Sequence, residues 1–263
     1  MGFGLAVRNL FEGVPVHAYA RAEPSIETTS ENERGKEIHE LITNSEFLLE
    51  ERDPRHLFTS QDDDDEYDSN PPSFPNNSCG QALIATILKI YEFFSSGSVP
   101  NITIQDIRDD LDSITYIGNS EQQGFFRWDR QMMLSSVEAA LNVYAVASPI
   151  TVVTFPQIPV TGYSEEEVVS PAFLTDAQVS SLLLESQQIF AKGGMLVLFS
   201  AKYGGHLSLV SNLYIDENNE LRVFIIDSFG DLVGDVSLRQ YAGEQVNGHP
   251  AIISAFGVCP TYT

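Results

Sequence analysis

Cysteine is nearly absent from this sequence: of 263 residues only Cys79 and Cys259 carry thiols. Two are too few for a disulfide framework, and their separation matches no zinc-binding spacing. Reduced thiols of a cytosol-like compartment are the expectation, with a single long-range disulfide left open. Basic residues are scarce too: 14 Lys and Arg stand against 37 Asp and Glu, for a formal charge of -23. That balance argues against nucleic acid and anionic membrane surfaces as partners, since both require positive charge. A basic partner would be steered in, although an acidic surface also simply keeps a chain in solution. No run approaches the ~18 apolar residues needed to span a bilayer, so no membrane insertion is expected. At the amino terminus, Arg8, Asn9, Glu12 and Gly13 interrupt the apolar run, and no secretory signal is read there.

What the chain does have is a hydrophobic content of 43%, ample for a real core. Three stretches are expected: residues 1–60, a segment with one helix that is a candidate regulatory or pro-region; 61–73, an acidic, proline-rich linker; and 74–263, the main domain. In the first, Ile38, Leu41, Ile42 and Phe47 to Leu49 recur at helical spacing and predict a helix from 30 to 51. The linker's Asp62 to Asp65 run lacks the alternating ligands and glycine turn of a calcium loop. No metal and no cofactor is expected.

In the main domain Leu83, Ile87, Ile90, Tyr91 and Phe94 form a stripe typical of a buried helix. Thr103 with Asp106 and Thr175 with Gln178 resemble capping boxes that open helices at 103–112 and 175–191. A further helix is expected over 127–146, then a long irregular insert over 149–171. Beyond Gly193-Gly194 the pattern changes to short β-rich runs at 195–201, 206–214, 221–227 and 251–258. Helices first and strands later predict an α+β fold with an antiparallel sheet.

Cys79 sits where the polar "NNS" becomes the apolar helix, and a thiol at a helix N-terminus faces unpaired N–H groups and the positive end of the dipole. Of the five histidines, His17, His39 and His56 lie in the polar amino-terminal segment, and His249 precedes a proline in a turn. His206 opens a β run directly after Gly204-Gly205 and is the best base. Asp227 ends the next run, across the turn "IDENNE", so a hairpin would bring the start of one strand beside the end of the other. Each residue alone has an ordinary structural explanation: buried thiol, strand-edge ring, turn-forming acid. Their convergence points to catalysis.

With "NNSCGQALIATILKIY", "GGHLSLVSNLYI" and "LRVFIIDSFGD" in this order, the chain resembles papain-like cysteine peptidases. The Cys-Gly helix start is similar to bacteriocin-leader peptidases and ubiquitin C-terminal hydrolases. The His and Asp motifs are similar to ubiquitin-like-protein proteases and related bacterial effector acetyltransferases. In those last two groups the cysteine follows the aspartate, but Cys259 lies five residues from the end here, with no room for the helix.

The resemblance implies a papain-like fold, its central helix carrying Cys79 on an antiparallel sheet carrying His206 and Asp227. It implies a covalent mechanism in which Cys79 attacks an acyl carbonyl, His206 relays the proton and Asp227 orients the ring. It also implies an oxyanion-hole glutamine about six residues before the cysteine, where this chain has Ser73; Asn77 or Asn76 would take that part, with the Cys79 backbone N–H as second donor. Gln81 reads instead as a helix residue. The expected activity is a cysteine protease acting on a protein or peptide, ubiquitin-like tails included, in a cytosol, a host's among them. Acyl transfer and glutamine deamidation use the same three residues, and a non-catalytic acidic binding module is the reading from another class. Asp227→Ala is expected to leave folding nearly unchanged while lowering thiol reactivity.

Overall fold

The computed structural model describes residues 30–44, 48, 57–61, 78–113, 134–158, 174–200, 206–228, 233–238, 241 and 252–261. Among them the chain forms α1 Ser30–Ile42, α2 Cys79–Ser96, α3 Ile104–Ser113, α4 Leu134–Tyr144, β1 Ile150–Val153, α5 Asp176–Ala191, β2 Met195–Ser200, β3 His206–Ile215, β4 Leu221–Ile226, β5 Val233–Ser237 and β6 Ile252–Pro260. The strands make one antiparallel sheet in the order β1-β6-β2-β3-β4-β5. The class is α+β.

Alternation explains why this sheet is covered on both faces. Met195, Val197 and Phe199 of β2 join one apolar cluster, with α2, while Leu196 and Leu198 join the other, with α5. Successive side chains of a strand point to opposite faces, so a fully apolar strand needs a partner on each side. In β3, Leu207 and Leu209 belong to the α2 cluster, but Val210 and Leu213 both belong to the α5 cluster. The register slips between Val210 and Asn212, and this bulge resets the alternation while keeping both faces apolar.

The α2 helix is buried on nearly all sides. It ends at Gly97, whose φ of 74° suits glycine and whose N–H caps the Phe93 carbonyl at 2.8 Å. Tyr91 Oη donates to the carbonyls of Gly193 and Val258, at 3.2 and 3.1 Å, tying the helix to the sheet.

The described part of residues 1–60 packs into the same core as 74–263. Ile38, Ile42, Leu48 and Leu57 are buried in the α2 cluster. At Gly193 φ is 71° and an added Cβ would come within 2.8 Å of Ile38 Cβ, so glycine permits both the turn and the close approach of α1.

Several boundaries differ from expectation. The expected helix is broken after Ile42, where Thr43 Oγ1 turns back onto the His39 carbonyl at 2.8 Å; Leu48 is again helical, and residues 45–47 and 49–51 lie outside the described set. Of the helix expected over 127–146, residues 127–133 lie outside the described set. The insert at 149–171 was expected to be irregular, yet it begins with β1, whose β-branched residues pair with Gly257 to Pro260. The short strand β5 was not anticipated; its Asp235 is held by Arg222 of β4 at 2.6 Å.

Candidate active site

Three elements deliver the site. Cys79 is the first residue of α2, His206 the first of β3, and Asp227 follows the last residue of β4. Past the Leu209–Ile226 pair, the next step of the register sets Asp227 opposite Ser208. His206 and Asp227 thus stand at the same end of the β3–β4 ladder, within reach of each other. The bridge is made: His206 Nε2 and Asp227 Oδ1 are 2.5 Å apart. The Cys79 thiol lies near enough to the same imidazole to raise its pKa. The hairpin thus brings His206 and Asp227 together.

All three are buried, with Cys79 3%, His206 4% and Asp227 0% exposed. Burial alone would lower the imidazole's pKa, but hydrogen bonds to Asp227 and Cys79, and their negative charge, outweigh it and raise it to about 9. The ring is therefore held as imidazolium at neutral pH. Asp227 is fully enclosed, so Asp227→Ala would leave a buried ring nitrogen without its partner.

Cys259 is also a free thiol, but it lies in β6 opposite Thr151, and burial pushes it up to about 11. His39 sits on α1 with its ring against Phe190, centroids 5.9 Å apart, and burial lowers its pKa. His17, His56, His249, Ser73, Asn76, Asn77 and the acidic run at 62–65 lie outside the described residues. Gln81 is buried within α2. Among the described residues, no group of three or more His, Cys, Asp or Glu is placed to hold a metal ion, and no helix is long and apolar enough to cross a membrane.

Sequence reasoning missed the strap formed by residues 57–61. The Thr59 N–H donates to Thr86 Oγ1 of α2 at 3.0 Å, and Lys89 Nζ to Thr59 Oγ1 at 2.9 Å. Two residues on, the Gln61 N–H donates to the Ser228 carbonyl at 2.9 Å, and the Ser228 hydroxyl donates back to Gln61 Oε1 at 3.4 Å. The strap so joins the helix of Cys79 to the residue after Asp227. Its signal, Leu57-Phe58, was masked by the aspartates that follow Gln61. Arg108 was missed as well: it is 7% exposed and donates from Nη2 to Ser78 Oγ at 2.9 Å, one residue before the thiol. Its signal was a lone cation behind Ile104 and Ile107 in a chain poor in basic residues.

Comparison with protein-family models, curated proteins and solved structures finds no match to this chain.

Proposed function

We propose that this chain is a cysteine protease of papain-like arrangement that cleaves peptide or isopeptide bonds through Cys79, His206 and Asp227. The observation that carries this reading is one imidazole engaged on one side by Asp227 at 2.5 Å and on the other by the Cys79 thiol. With Nε2 committed to the carboxylate, Nδ1 is the nitrogen left for sulfur. A protonated ring beside the sulfur can hand its proton to the leaving group.

The thiolate attacks the scissile carbonyl and forms a C–S bond. The His206 imidazolium gives its proton to the departing amine as the C–N bond breaks. Water then attacks the thioester, giving its proton to the now neutral His206, and the carboxylic acid leaves as the C–S bond breaks and the thiolate–imidazolium pair is restored. The Cys79 N–H, in the uncapped first turn of α2, is one donor for the oxyanion. The second is a side-chain amide: Asn77 by position in the chain, or Gln61, whose amide is buried against Ser228.

The substrate in this reading is a protein, ubiquitin-like tails included, and the charge of -23 favours basic ones. Two free thiols suit a reducing compartment, and the reading extends to a cytosol, a host's included. The test is covalent capture by an electrophilic peptide probe and by a ubiquitin-like protein carrying a C-terminal electrophile. Capture on Cys79, absent from Cys79→Ala, is expected. Labelling of folded wild type no greater than that of Cys79→Ala ends the reading.

A further inference from the structure

At the starts of α2, α3 and α5 a hydroxyl residue is followed three positions later by an acid or amide: Ser78 and Gln81, Thr103 and Asp106, Thr175 and Gln178. That is the pattern of the reciprocal capping box. Two of the boxes are made. At α3 the Asp106 N–H donates to Thr103 Oγ1 at 3.1 Å and the Thr103 N–H to Asp106 Oδ2 at 2.7 Å. At α5 Thr175 is extended, with ψ 161°, and its hydroxyl and the Gln178 side chain close the box in both directions.

The box of α2 is not made. Ser78 has φ -83° and ψ 11°, away from the extended conformation of a capping residue, and its side chain makes no cap hydrogen bond. Gln81 Oε1, which would accept the Ser78 N–H, is buried with no hydrogen-bond partner among the described residues. No acidic residue stands in the first turn to substitute. What the Ser78 hydroxyl does instead is accept from the buried guanidinium of Arg108. Cations are ordinarily disfavoured at a helix N-terminus, where the dipole is already positive. An arginine buried there makes sense if an anion has to form beside it, and the next residue is Cys79.

We propose that Arg108 is a positioning residue that holds Ser78 out of the N-cap conformation, leaving the first-turn amides of α2 open to the Cys79 sulfur and to the oxyanion. This rests on the reading of Cys79 as nucleophile. In an ordinary capped helix the Ser78 hydroxyl would occupy one of those amides and the dipole would be spent on the cap. Here the serine's capping capacity is diverted to a side chain from the neighbouring helix, and the end of α2 stays electrophilic. Arg108 acts through Ser78.

The test is the rate of iodoacetamide alkylation at Cys79, followed by peptide mass spectrometry on the full chain, with circular dichroism to score folding. Arg108→Met frees Ser78 to cap, and alkylation is expected to slow by about fivefold, the worth of one N-cap interaction. Ser78→Ala cannot cap and is expected to stay within about twofold of wild type. The double variant is the deciding arm: removing the hydroxyl from Arg108→Met should restore most of the lost rate, a rescue that mere loss of packing would not give. Arg108→Lys, which keeps a donor, should lie between wild type and Arg108→Met.

A folded Arg108→Met that alkylates at the wild-type rate overturns the proposal, and so does a double variant as slow as Arg108→Met. If Arg108→Met does not fold, Arg108→Lys alone and combined with Ser78→Ala make the same comparison. Failure of the nucleophile reading looks different: wild-type Cys79 would then react no faster than the same residue in urea-unfolded chain, whatever the Arg108 variants do.

Discussion

The Gln61 N–H donates to the Ser228 carbonyl at 2.9 Å, so the segment ahead of α2 is joined by main chain to the residue after Asp227. One short strap thereby bridges the helix that carries the sulfur and the strand end that carries the carboxylate.

Side-chain substitution distinguishes the strap's support from direct chemistry. Gln61→Ala keeps the main-chain bond but removes the amide. If Gln61 is the second oxyanion donor, probe capture at saturating probe falls by about 10²–10³ in Gln61→Ala and is little changed in Asn77→Ala. The reverse pattern assigns the role to Asn77. Single-turnover capture kinetics on both variants settle which amide faces the oxyanion.

Asp227→Ala removes a carboxylate that raises the His206 pKa, so burial favours the neutral ring and Nε2 loses its partner. We expect a stability loss of about 1–3 kcal/mol, the cost of leaving a buried polar group unsatisfied, and a fall in capture rate of at least about a hundredfold. Urea midpoints and capture rates measured on one preparation check both. A fully stable Asp227→Ala protein would contradict the burial.

Stability should fall as the solution becomes alkaline through the His206 window. The imidazole's pKa is raised from 6.5 to about 9 in the fold, so the native state binds the proton more tightly than the unfolded chain. The stabilisation is complete below pH 6.5 and lost as pH rises through about 9. On the order of 3 kcal/mol is at stake by linkage. Urea unfolding of wild type and His206→Gln across this range should show the slope in the first only, and probe capture should decline over the same alkaline limb.

His39 carries the opposite sign. Burial lowers its pKa below 6.5, so the unfolded chain takes up the proton first and stability is lost as pH falls below 6.5. His39→Leu should flatten the acid limb and leave the alkaline one intact. Thermal unfolding at pH 7 and at pH 5 checks this.

Much of the scaffold was legible because its residues state their periods plainly. The α2 stripe and the paired apolar runs of β3 and β4 each satisfy one pattern only, and the "IDENNE" turn fixes that these strands run antiparallel. From that hairpin the meeting of His206 and Asp227 follows. The half-exposed edge strand β5 was not legible, since Val233 to Ser237 contains Gly234 and Asp235 and owes its pairing to Arg222 of the neighbouring strand. Arg108 and Gln61 were hidden for a related reason. Their importance lies in what they touch, Ser78 and Ser228, and no local period encodes a contact between distant segments.

The bulge in β3 fixes a phase. Between Val210 and Asn212 one residue is spent to reset which side chains face α2 and which face α5. Upstream of that point β3 leads to His206; downstream it leads to the turn and back to Asp227. A one-residue deletion at Ser211 would therefore satisfy the ladder and still exchange the α2-facing and α5-facing side chains along half the hairpin. The core would have to choose between keeping its apolar faces and keeping the ring beside the carboxylate.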